Sequence, residues 1–244
     1  MVVAAARELA DGEVVFVGIG LPNLACNLAR ATHAPGLVLI YESGAVGAVP
    51  DRIPVSIGDP ALVTDSLAVA PMTDVFQYYL QGGRIQVGFL GGAQVDRYGN
   101  INSTVIGPYA KPKVRLPGSG GACEIAIHAG RVIVVTPLSA RAFPAEADFY
   151  TSPGQAGKYG DRRSLRLPGG GPLRVVTDGG ILRPSPKDGE LELSALYPGV
   201  SADEVKQKVG WPLRVCAQLE PVAPPSAEEL HLLRDVLDPE HLYL

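Results

Sequence analysis

The feature that most constrains the fold is a recurring run of apolar, largely β-branched residues: VVFVG (14–18), LVLIY (37–41), IQVGFL (85–90), VIVVT (132–136) and LRVVT (173–177). Short runs that are apolar on both faces suit strands covered on both sides, as in a parallel sheet; a half-exposed sheet would alternate instead. Amphipathic stretches between the runs predict helices over 1–10, 22–33 and 74–81, and Pro22 falls in a first turn, where its missing N–H costs nothing. Ser201 with Glu204, and Ser226 with Glu229, fit the capping-box spacing and predict two further short helices, the last stopped near Asp238-Pro239. The expectation is an α/β chain with an open, mostly parallel, doubly wound sheet and helices on both faces. It is read as one domain over 1–244, carrying a long irregular loop at about 141–171.

With 244 residues, 46% apolar and 19% charged, the chain can bury a sizeable core. No uninterrupted apolar run of about 18 residues and no cleavable leader pattern is present, so a cytoplasmic protein that neither spans nor binds a membrane is expected. A net charge of −4 argues against a nucleic-acid partner. Cys26, Cys123 and Cys216 are odd in number and far apart, and the four histidines are scattered, so packing thiols and no metal site are expected. Arg162, Arg163 and Arg166 in the long loop read as a solvated charge run.

Glu42 carries the chemical interest. It follows LVLIY directly, and ligands of open α/β sheets bind beyond the carboxyl ends of strands. The bland alternative is a strand-end carboxylate accepting N–H bonds from its own turn. A dinucleotide site is imitated by Gly18 and Gly20 with an acid downstream, but Asn23 stands where the third glycine belongs and Pro22 removes a donor. Ser43 lacks the glycine two residues earlier that a nucleophile elbow needs. Cys123 has only His128 nearby in sequence as a base. A carboxylate nucleophile needs no base at all, being ionised near neutral pH from an ordinary pKa of about 4.3. It needs an electrophile and oxyanion donors, and the glycines at 118–121 allow backbone N–H groups to approach closely.

The ordered set "GIGLPNLACNLA", "YESGAVG", "GGAQVDRYGNINST", "PGSGGACEIA", "DFYTSPG" and "YPGVSADEVKQKVGWPL" resembles the β subunits of class I coenzyme A transferases, most like the glutaconate type. The resemblance implies a CoA-transferase fold and a ping-pong reaction. Glu42 would attack an acyl-CoA to form an acyl anhydride, and the released thiolate would convert it to a glutamyl-CoA thioester. It implies oxyanion donors at Gly120 and Gly121, coenzyme A as substrate with no permanently bound cofactor, and an α-subunit partner in a heterodimer or larger assembly. Ser43, Gly44, Gln94 and Asn100 would shape the site or an interface; Asp96 and Asn102 belong to the same "QVDRYGNIN" stretch, where turn hydrogen bonding is the simpler role. Relatives on this scaffold without the nucleophile hydrolyse, cleave rings or decarboxylate, so hydrolysis is the alternative reaction.

Overall fold

The computed structural model describes residues 1–244, which divide into two compact units: residues 1–89 with 224–244, and residues 90–223. In the first unit, β1 (Val14–Phe16) lies between β2 (Val38–Ile40) and β5 (Val87–Leu90) and runs parallel to both. Two short antiparallel strands, β3 (Ala45–Val46) and β4 (Ala68–Val69), extend the sheet beyond β2 in the order β5-β1-β2-β3-β4. The central strands are buried because Val15, Phe16, Leu39, Ile40 and Val87 are, as their apolar runs require.

Helix α1 (Val2–Ala6) packs on α2 (Leu21–Ala31). The α2 start is set by Gly20 at φ +91°, a conformation that favours glycine, followed at once by Pro22 in the first turn. Its inner face buries Leu24 and Leu28 completely, worth about 1.5–3 kcal/mol for each side chain. The predicted helix over 1–10 stops short: after Ala6 the bonds tighten to Glu8 N–H on the Ala5 carbonyl and Leu9 N–H on the Ala6 carbonyl, and Ala10 N–H turns to the Glu13 side chain. The helix predicted over 74–81 begins earlier, as α3 (Met72–Asp74), then widens over Val75–Leu80 into a π-type turn in which Gln81 N–H reaches the Phe76 carbonyl.

The C-terminal helix (Ala227–His231) has the expected capping box: Glu229 N–H donates to Ser226 Oγ at 3.1 Å and Ser226 N–H to Glu229 Oε2 at 2.7 Å. Arg7 holds Glu229 from just beyond α1 at 2.6 Å, joining the two ends of the chain within this unit. The helical segment ends at Leu237, where Asp238 leaves helical geometry and takes the N–H groups of Leu242, Tyr243 and Leu244 on its carboxylate. No helix is long and apolar enough to cross a membrane.

The second unit opens with two small hairpins, β6 (Gln94–Val95) with β7 (Ile101–Asn102), and β8 (Val105–Ile106) with β9 (Val114–Arg115). A glycine turn leads into α4 (Ala122–His128), which packs on β10 (Arg131–Val135). From β10 the sheet continues through β11 (Pro172–Val176), β12 (Gly180–Pro184), β13 (Leu191–Leu196) and β14 (Arg214–Pro221). β10 and β11 are parallel, as are β13 and β14, while β12 is antiparallel to its neighbours. Helix α5 (Ala202–Lys206) carries the other predicted capping box, Ser201 with Glu204. Between β10 and β11 the chain is irregular apart from a bridge from Ser152 to Ile101.

Candidate functional site

Glu42 occupies the tight connection between β2 and β3. Tyr41 N–H donates to the Ala45 carbonyl and Gly44 N–H to the Tyr41 carbonyl, both at 2.9 Å, so the backbone closes around residues 42 and 43. The turn's own N–H bond is therefore made to a carbonyl. The half-buried Glu42 carboxylate has no hydrogen bond or ion pair within the chain, so the turn-capping alternative is not what forms. Ser43 beside it is exposed.

Gly44 explains its residue type. It has φ +110°, and a Cβ built there would lie 1.9 Å from the Ala70 carbonyl oxygen, while Ala70 N–H donates to the Gly44 carbonyl at 2.9 Å. Gly44→Ala therefore forces the turn away from the strand that braces it. The expected cost is about 2 to 3 kcal/mol of unfolding free energy, read from denaturant titration.

In the second unit, Gly118 is pinned by its N–H to the Ser103 carbonyl and by its own carbonyl to Ser103 Oγ, both at 2.8 Å. Gly118 and Gly120 have φ of +102° and +48°, which suits glycine, and the amides of Gly120 and Gly121 take no acceptor within the chain. Cys123 follows, its thiol pushed up by burial and by Glu124, and His128 pairs with Glu124 at 3.2 Å instead of with the sulfur. This pairing removes the cysteine–histidine scheme from consideration.

The "QVDRYGNIN" side chains face one another. Asn102 Nδ2 donates to Gln94 Oε1 at 2.7 Å, which also accepts the Asp148 N–H at 3.0 Å. Asn100 Nδ2 lies 3.0 Å from both carboxylate oxygens of Asp96, which also accepts the N–H groups of Tyr98 and Asn100. Asn100 further binds the Ala156 carbonyl and the Gly154 N–H, both at 2.8 Å. Burial raises the Asp96 carboxyl above its ordinary range against these donors. Their hydrogen-bonding capacity is thus largely used in tying the β6–β7 hairpin to residues 148–156, a turn-building role.

Two arrangements lie beyond what residue spacing signals. Arg162 is not solvated with Arg163 and Arg166: it is 8% exposed and donates to main-chain carbonyls from three segments. Asn23, the residue that breaks the dinucleotide pattern, is fully buried and donates to Tyr41 Oη at 2.7 Å. Buried polar groups must be satisfied, but nothing in a linear sequence names a partner 18 residues away.

An α/β sheet with a lone glutamate in a glycine turn past a parallel strand suits acyl transfer through a carboxylate. Residues 1–208 match the coenzyme A transferase family model, and the chain belongs to that family. It is 52% identical over 235 residues to the β subunit of 3-oxoadipate CoA-transferase from Pseudomonas knackmussii, covering 96% of this chain and 90% of that one. It superposes on the crystal structure of glutaconate coenzyme A-transferase from Acidaminococcus fermentans with a TM-score of 0.91 at 35% identity, covering 99% of this chain and 94% of that chain. The cholesterol ring-cleaving hydrolase IpdB subunit from Rhodococcus jostii is more distant, at 28% identity over 91% of this chain and 83% of that one.

Proposed function

We propose that this chain is the β subunit of a heteromeric CoA-transferase that moves coenzyme A between an acyl-CoA and a free carboxylic acid. The observation that carries the reading is the Glu42 turn: a half-buried carboxylate with no partner in its own chain, held by a backbone that only glycine at position 44 permits. A carboxylate without a competing cation keeps its lone pairs for an electrophile.

Glu42 Oε attacks the thioester carbonyl, the C–S bond breaks, and CoA leaves as thiolate, giving a mixed anhydride. The thiolate then attacks the glutamyl carbonyl of that anhydride, releasing the first acid as its carboxylate and leaving a glutamyl-CoA thioester. A second carboxylate runs the sequence backwards. Each addition builds an oxyanion, which backbone N–H donors stabilise.

A partner subunit completes the enzyme in this reading. Exposed apolar residues concentrate in the first unit, among them Val55, Leu67, Val69, Met72 and Tyr78, and β4 is an edge strand with its backbone uncovered on one side. Such a surface favours association. Both named transferase relatives act on dicarboxylic acids, 3-oxoadipate and glutaconate, so dicarboxylyl-CoA substrates come first.

The test is to incubate the chain with its copurified α partner and an acyl-CoA panel led by dicarboxylyl thioesters, then search the Glu42-containing peptide by mass spectrometry. A CoA adduct on Glu42 that disappears when a free dicarboxylate is added is the expected result. Thioester hydrolysis with no adduct would move the assignment to the hydrolase reaction.

A further inference from the structure

The polar chain behind the Glu42 turn takes no part in the bond-making steps. Asn23, Asn27 and Arg30 project from one face of α2 at positions i, i+4 and i+7. Asn23 Nδ2 donates to Tyr41 Oη at 2.7 Å, Asn27 Nδ2 donates to Asn23 Oδ1 at 2.9 Å, and Arg30 Nη2 donates to Asn27 Oδ1 at 2.8 Å. Arg30 Nη1 then reaches forward to the Ala48 carbonyl at 2.7 Å. The chain thus grips the 41–48 segment at both ends, on the side chain before Glu42 and on a carbonyl six residues after it.

Asn23 and Tyr41 are both 0% exposed. A leucine at position 23 and a phenylalanine at 41 would fill such a core with no polar group to satisfy. An amide and a phenol placed there instead are restricted to the geometries that pair them, so they fix the relation of α2 to the turn as apolar packing would not. Tyr41 is held three ways: by its N–H on Ala45, its carbonyl from Gly44, and its phenol from Asn23. Glu42 is the next residue, and a nucleophile displaced by about 1 Å can lose about a hundredfold in rate.

We infer that Asn23, backed by Asn27 and Arg30, positions the catalytic turn through Tyr41, so that these four residues hold Glu42 on line with the thioester carbonyl. The inference rests on the proposal that Glu42 is the nucleophile. Burial pushes the Tyr41 phenol up to about 12, with Asn23 opposing that shift, so the group stays protonated through any neutral working range and acts by geometry, not by proton transfer.

The test uses the assembled enzyme with Tyr41→Phe, Asn23→Leu and the double variant, each assayed for exchange across acyl-CoA concentration and pH. Each single variant should lower kcat by roughly tenfold, with KM for acyl-CoA within about twofold. The double variant should fall no further than the worse single, since both break one link. The pH profile should keep its shape. Arg30→Lys retains the charge but loses the fork that spans Asn27 and Ala48, and should show a smaller fall in kcat if Asn23→Leu does not assemble. Unchanged kcat in Tyr41→Phe, fully multiplicative losses, a change confined to KM, or a new alkaline limb would each overturn the inference. Glu42→Ala separates the two levels: retained exchange there removes the nucleophile itself, whereas loss there with full kcat in Tyr41→Phe removes only the positioning role.

Discussion

Glu42→Ala in the assembled enzyme is expected to lower CoA exchange by at least about a thousandfold, because removing a covalent nucleophile leaves only binding and oxyanion stabilisation, and such losses reach about 10⁶ in other enzymes. The substitution removes a side chain that makes no hydrogen bond or ion pair within the chain, so folding should be undisturbed, and the melting temperature checks this. Glu42→Asp keeps the charge but withdraws it by one methylene. A residual rate about a hundredfold below the parent is expected, since the carboxylate is retained but held short of the thioester carbonyl. Stopped exchange assays with labelled acid measure both. Thioester hydrolysis that survives in Glu42→Ala would show water, not the glutamate, attacking the substrate, and the transfer mechanism would fall with it.

Much of the scaffold around that residue could be read from local pattern. The five apolar runs all appear as strands, three trimmed by two residues and two shifted by one towards the N-terminus, as runs buried on both faces of a sheet should. Pro22 and the two Ser-to-Glu boxes mark helix starts for reasons contained within four residues. What lay out of reach depends on contacts distant in sequence. β3 and β4 are two residues each, too short to show a period, and exist because Gly44 lets the chain double back against Ala70. The parallel pairing of β13 with β14 and the antiparallel insertion of β12 between β11 and β13 follow from the whole sheet. At the site, the place of Glu42 after a strand could be read from the sequence, while its role as nucleophile came from the family resemblance and not from spacing. The Asn23 to Tyr41 bond could not be read, since an asparagine in a helix reads only as a missing glycine until its partner is known.

Arg162 gives the second large expectation, and it reverses what its neighbourhood in sequence suggests. A solvated arginine can be replaced within about 0.5 kcal/mol. Arg162 instead donates from Nε to the Gly169 carbonyl at 2.9 Å, from Nη1 to Gly154 at 3.3 Å, and from Nη2 to Ala126 and Ile127 at 3.0 and 3.1 Å. No carboxylate accompanies it, and burial alone pulls its pKa down to about 10, leaving it charged at neutral pH. The guanidinium therefore acts as a multidentate clamp, joining the last turn of α4 to both sides of the irregular loop. Arg162→Met fills the space but leaves those buried carbonyls without a donor, and each orphaned group costs about 1–3 kcal/mol unless water reaches it. A loss of about 3–5 kcal/mol is expected in Arg162→Met, against little change in exposed Arg163→Met, both read from denaturant unfolding. Arg162→Lys should lie between, because an ammonium has three donors in a compact head and cannot span three segments. Equal stability of the Met variants at 162 and 163 would show the clamp to be decorative. If the loss is found, Arg162 joins Asn100, which binds Gly154 and Ala156, in fixing a loop rich in glycine and proline, and α4, which begins directly after Gly120 and Gly121, is held at its far end by the same guanidinium.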